Sequence, residues 1–167
     1  NVKNKPKNFA NLSAGEFEAK MKESNTVLLD VRTAGEVAGG FQGTVRSMGA
    51  RFTGYDTIAG AGRNSCVLHY LTNDHDIEAG SLMLLDAGAE VGFYTADVTR
   101  TWPVSGQFSK EQKAIYELVL KAQNAAIDLV KPGRVHHEGF DAAMRILSDG
   151  LVDLGLLQGD KDTVYKS

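Results

Sequence analysis

Apolar residues recur along this chain at two different spacings, and the switch between them predicts its elements. Phe17 and Met21 form a short stripe at helical spacing, behind a Ser13/Glu16 pair spaced as in a capping box. They predict a helix over about Ala14–Glu23. Asn25 breaks it, and the valine–leucine run in Thr26–Val31 reads as a covered strand. Eight glycines between Gly35 and Gly62 then favour loops, with room for one helical turn in Val45–Phe52. A strand is expected around Cys66–Tyr70, closed by the turn formers Asn73 and Asp74. Two more follow at Leu82–Ala87 and Phe93–Thr99, joined through Glu90-Val91-Gly92.

Beyond Pro103 the period becomes helical. Ser109 and Gln112 make a second capping-box pair, and Ala114, Ile115, Leu118, Val119, Ala122, Ala125, Ala126 and Leu129 mark one broad apolar face. Pro132 and Gly133 end that helix. Another is expected over His137–Val152, with Phe140, Ala143, Ile146, Leu147 and Leu151 inward, before Gly155 and Gly159 loosen a polar end. At the front, helix followed by apolar strand is an α/β signature, while the fold class expected for the chain as a whole is α+β.

Composition narrows the function classes. With 43% hydrophobic and 23% charged residues and a net charge of -3, the chain has no cationic field to draw in nucleic acid or an anionic membrane. Its apolar runs are too short for a spanning helix, and the polar, basic start "NVKNKPKNF" reads as a surface tail. A single cysteine, Cys66, excludes an internal disulfide and a thiolate cluster, which points to a cytoplasmic setting. Inside an apolar run, Cys66 is expected to be a small buried hydrophobe.

The candidate chemistry lies in the two most sheet-like runs, each of which carries an aspartate. A hairpin turning about Val91-Gly92 sets Asp86 opposite Asp97, with Cβ atoms about 4.5–5.5 Å apart. Like charges so placed repel unless a cation lies between them or they share a proton. Two divalent ions with an activated bridging water would match such a pair. The structural alternative is that Asp86 bonds the amides of the Ala87-Gly88-Ala89 turn while Asp97 pairs with Arg100.

The stretches "GYDTIAGAGRNSCVLHYLTND", "AGSLMLLDAGAEVGFYTADVTRTWPVSGQFSKEQKAIYELVLKAQ" and "VDLGLLQGD" resemble the catalytic domain of the Xaa-Pro aminopeptidase and Xaa-Pro dipeptidase family. The likeness runs from about Val45 to Thr163 and implies a partial pita-bread fold, with an antiparallel sheet and packed helices. It implies that Asp86 holds one ion of a metal pair and that Asp97 touches both. His69, in "CVLHY", is similar to the histidine that borders the substrate and stabilises the transition state. The implied cofactors are two divalent ions, Mn, Zn or Co, and the implied substrate is a peptide with proline in second position.

The family pattern also calls for a further histidine and two glutamates, and the chain ends at Ser167 where that segment falls due. His136, His137 and Glu138 do not match it. Weak or absent metal binding and impaired activity are therefore expected. The front, "NLSAGEFEAK…NTVLLDVRTAGEVAGG", resembles the opening of a rhodanese-like domain over about Leu12–Gly40, without that family's active-site cysteine loop. The expected organisation is a tail and rhodanese-like helix–strand segment at 1–43, then a metallopeptidase-like domain at 44–167. The competing function is a non-enzymatic scaffold or interaction domain that dimerises over an open sheet edge. Among weaker signals, His75 reads as a solvated loop residue. Tyr94 and Trp102 read as packing or as the lining of a proline recess.

Overall fold

Helix α1 (Ala34–Ser47) opens the described part of the chain, residues 34–166 of a computed structural model. It forms where glycine density argues for loops. Gly35, Gly39, Gly40 and Gly43 all lie inside it, each costing about 1 kcal/mol of helix propensity relative to alanine. Packing offsets that cost: Ala38 joins Ala59, Ala61 and Met83 in the buried core. The helix also crosses Gly40–Val45 without interruption, where a join between two segments was expected. The helix and strand expected at Ala14–Val31 lie outside the described residues.

The described residues fall into two compact units, divided between Phe108 and Ser109. The first carries two antiparallel three-stranded sheets. Strands β1 (Phe52–Thr53), β2 (Ile58–Ala61), β3 (Leu82–Ala87), β4 (Ala89–Val91), β5 (Tyr94–Thr95) and β6 (Val98–Pro103) are ordered β1-β4-β5 in one and β2-β3-β6 in the other. The expected strand over Phe93–Thr99 is thus divided between β5 and β6.

β2 is buried along its whole length, and after Ile58 its residues are all small. One face carries the alanines of the core. On the other, a Cβ at Gly60 would meet the Ser65 Cα at 2.9 Å, so only glycine lets the following 3-10 helix (Gly62–Cys66) lie so close. That helix and the turn after it replace the strand expected over Cys66–Tyr70. Cys66 is exposed there, not buried.

The outer edge of β2 is closed by a side chain. Asn73 accepts from the Ala59 amide at 2.7 Å and donates to the Thr57 carbonyl at 2.8 Å, replacing the two bonds a neighbouring strand would make. Its φ of 50° is in the left-handed region that asparagine tolerates. β3 places Met83, Leu85 and Ala87 on the core side and Leu82, Leu84 and Asp86 on the other. Trp102 and Val104 pack against the core, so Trp102 is a packing residue.

The second unit is helical. α2 (Lys110–Asp128) begins with the expected capping box: Ser109 Oγ accepts from the Gln112 amide, and the Gln112 side chain accepts from the Ser109 amide. α3 (His136–Asp153) packs on it closely enough that a Cβ at Gly150 would stand 2.3 Å from a Leu118 methyl. The apolar faces are only partly covered: Ile115, Val119 and Phe140 are exposed, contrary to the inward placement their spacing implies. The polar end, expected to be loose, forms a short helix α4 (Lys161–Lys166). Arg145 of α3, paired with Asp149 one turn on in the same helix, ties it down through Asp162, and its guanidinium lies over the Tyr165 ring.

Candidate functional site

The two aspartates meet through a register different from the expected one. The chain reverses at Gly92-Phe93, both with positive φ, as a primed two-residue turn requires. Asp86 consequently pairs with Thr99, and Gly88 stands across from Asp97. The two carboxylates are diagonal, not direct, cross-strand neighbours. A two-residue offset preserves the alternation of faces, so both still project from the same side.

Gly88 allows this arrangement. A Cβ there would lie 1.6 Å from the Ala96 carbonyl oxygen and 3.0 Å from the Tyr55 ring. With no side chain in the way, the Gly88 carbonyl accepts from the Gly54 amide at 2.8 Å, and Tyr55 follows directly behind Gly54. Backbone contact at Gly88 thus delivers the tyrosine to the acidic pair.

The Tyr55 hydroxyl reaches Asp86 Oδ1 at 2.5 Å and Asp97 Oδ1 at 3.1 Å. A phenol has one proton, so both carboxylates draw on a single donor, and the shorter contact belongs to Asp86. Partial burial of the phenol, with the charge and hydrogen bonds of the two carboxylates added, pushes its pKa well above the usual tyrosine value. Tyr55 therefore remains a neutral donor throughout the physiological range. Asp86 is half-buried and Asp97 exposed, so water reaches the pair and the charges are less costly than two buried strands would imply.

Carboxylate oxygens suit hard divalent cations, and Asp86 and Asp97 each bring one to the Tyr55 hydroxyl. In kind, the donors fit such an ion. In number they supply part of a coordination shell: among the described residues, no group of three or more His, Cys, Asp or Glu could hold a metal.

His69 lies in the exposed turn after the 3-10 helix, and among the described residues it makes no hydrogen bond to either aspartate. Next to it, Tyr70 accepts from Asn64 and donates to Asp74, which holds the Asp74 carboxyl below its usual range. His75 stands 3.5 Å from Asp74 on the surface. His136 and His137 open α3, where His137 meets the Phe140 ring edge-on. Tyr94 is exposed near the tip of the hairpin. Tyr55 is the residue that sequence reasoning missed. Its only local signal is an aromatic between two turn formers, Gly54 and Asp56.

Comparison with known proteins bears on this arrangement. The profile of metallopeptidase family M24 matches residues 12–163. The chain is 51% identical over 117 residues to an Xaa-Pro aminopeptidase of Haemophilus influenzae, covering 70% of this chain and 27% of that protein. It is 44% identical over 114 residues to the Xaa-Pro aminopeptidase of Escherichia coli, covering 68% and 26%. The structure resembles aminopeptidase PepP of Pseudomonas aeruginosa with a TM-score of 0.78 at 43% identity, over 92% of this chain and 34% of that one. A zinc-substituted E. coli aminopeptidase P in complex with product superposes with a TM-score of 0.76 at 36% identity, over 89% and 32%. The chain spans about a quarter of the length of these curated relatives and about a third of the solved chains.

Proposed function

We propose that this chain, which belongs to metallopeptidase family M24 and has its α+β pita-bread-like fold, carries the acidic half of a metal-dependent Xaa-Pro aminopeptidase site. The observation that carries the reading is the convergence of Asp86 and Asp97 on one phenolic hydroxyl. Asp86 and Asp97 are the residues that would hold the metal. Bound divalent ions, Mn, Zn or Co, supply a water of lowered pKa and polarise the peptide carbonyl.

The other roles belong to the chain. The Tyr55 O–H fixes the rotamer of Asp86 and keeps one carboxylate oxygen engaged, which leaves its second oxygen for a cation. Asp97, two residues along the same face, presents its carboxylate toward the same region from the exposed side. His69 is assigned to donate to the oxygen on which negative charge develops, a role that requires its turn to lean toward the acidic pair when peptide is bound. The substrate is a peptide with proline in second position. Among the described residues Asp86 and Asp97 are the donors assigned, and two donors alone make a weak site. The reading takes residues 12–163 as one family, supported by the extent of the match and by the unbroken helix α1.

Calorimetric titration with MnCl2, followed by incubation with a proline-second peptide, tests the reading. Saturable heat and peptide cleavage in the wild type, both lost in Asp86→Ala, are expected. Identical titrations for the two proteins would sink it. A second reading, a non-enzymatic scaffold that dimerises, is favoured by the exposure of Val67, Leu68 and Leu71 beside His69. Sedimentation equilibrium decides that point, since a strictly monomeric chain removes it.

A further inference from the structure

Phe93 adopts a φ of 66°, a conformation that costs a residue other than glycine about 1–2 kcal/mol. The second position of a primed turn ordinarily takes glycine or asparagine. Nothing in the turn itself calls for a phenylalanine. Its amide donates to Glu90 Oε1, which engages that carboxylate within the turn. Its ring stands 5.9 Å from the Arg51 guanidinium carbon, and the Phe52 ring stands 5.1 Å from the same atom. Arg51 is thus braced by two aromatic rings, and among the described residues no carboxylate forms an ion pair with it. Strain held at a surface turn is typical of places that clamp a ligand.

These groups line an open cleft of about 470 Å³ that includes Arg51, Phe52, Glu90, Phe93 and Thr95. The pairings Phe52↔Glu90 and Glu90↔Thr95 put Phe52, Glu90 and Thr95 on one side of their sheet, Phe93, Thr95 and Asp97 follow at every second residue, and the Arg51 guanidinium reaches that side by lying over the Phe52 and Phe93 rings. The cleft is therefore a continuation of the face that carries Asp86 and Asp97. Arg51 is level with Val91 and Tyr94, so it lies two strand spacings, about 10 Å, to the side of the strand direction that carries Asp97 and three residue steps, about 10 Å, along it, or about 14 Å in all.

We propose that Arg51, braced between Phe52 and Phe93, is a subsite for an acidic side chain on the peptide, three or four residues beyond the bond that is cut. This rests on the aminopeptidase reading. An enzyme that removes one N-terminal residue has room for a single residue on the amino side of the scissile bond. A subsite about 14 Å away must accordingly take the carboxyl side, at the fourth or fifth residue. The planar guanidinium pairs with a carboxylate through two parallel hydrogen bonds, and the rings hold it in place while it does so.

The test is an amide NMR titration of the chain with amidated Ala-Pro-Ala-Glu and Ala-Pro-Ala-Lys, with acetate as a third arm. The amides of Arg51, Gly92 and Phe93 should shift, with the glutamate peptide binding about two- to fivefold more tightly, the range for an exposed ion pair. Arg51→Met and Phe93→Gly should each abolish that preference. Phe93→Gly should stay folded, because glycine suits the turn, and its thermal midpoint should not fall. Equal affinity for the two peptides overturns the proposal, as does a preference that survives Phe93→Gly. Acetate binding as tightly as the glutamate peptide overturns the peptide assignment. Shifts at Asp86 and Asp97 without any at Arg51 refute the subsite and leave the aminopeptidase reading standing, whereas shifts nowhere refute both.

Discussion

Replacing Tyr55 with phenylalanine removes one oxygen and leaves the ring that packs beside Gly88. What disappears is a hydrogen bond to an ionised carboxylate at 2.5 Å and a second contact at 3.1 Å. A bond to a charged partner contributes about 1.5–3 kcal/mol. Because Asp97 is exposed and Asp86 half-buried, water replaces part of the lost donor and the lower end applies, about 1.5 kcal/mol. Mutual repulsion of the carboxylates is present in both proteins and cancels from the comparison.

The loss should depend on pH with a definite sign. The folded-state pKa of Tyr55 is raised, so the unfolded chain releases its proton first as pH rises past about 10. The tyrosine's contribution is complete below that point and declines as pH climbs toward the folded value. Urea unfolding of wild type and Tyr55→Phe should therefore show a constant gap at neutral pH that narrows above about pH 10. Ultraviolet titration of the five tyrosines should reveal one that ionises late and is missing in the variant. Equal stability at pH 7, with every tyrosine titrating together near the ordinary value, would refute the shared-donor geometry.

Other outcomes follow from the packing. Gly88→Ala drives a methyl into a backbone oxygen and disrupts the Gly54–Gly88 bond, so at least about 3 kcal/mol should be lost by chemical denaturation. Wild-type stability in that variant would show that the close backbone approach at Gly88 is not required. Asn73→Ala leaves the Ala59 amide and Thr57 carbonyl without their partner, and should cost about 2 kcal/mol and speed hydrogen exchange at Ala59. Gly150→Ala gains about 1 kcal/mol of helix propensity, but the Leu118 side chain must move. A net loss of about 1 kcal/mol in thermal unfolding is expected, and a net gain would show that α2 and α3 are packed more loosely than described.

Elements whose cause is local were legible in the sequence. The Ser109 box, the two long helices and the run Leu82–Ala87 stand where periodicity puts them, because capping and amphipathic spacing act within a few residues. Helix α1 was not legible, since four glycines oppose it locally and only burial of Ala38 offsets them. The strand expected at Cys66–Tyr70 fails for a related reason. Its apolar residues promise burial, but Gly60 lets the chain coil back over β2 and leaves Val67 and Leu68 outside.

The candidate site divides along the same line. Asp86 and Asp97 could be selected by residue type and alternation alone, because moving the turn by one residue shifts the register by two and keeps both on one face. Their diagonal spacing, the shared phenol and the exposure of Asp97 arise only when the tertiary structure forms. Each depends on Gly88 lacking a side chain and on Tyr55 arriving from a loop 31 residues before Asp86. Alternation is a property of neighbours in the chain, whereas a hydrogen bond across that separation exists only once the backbone has closed around it.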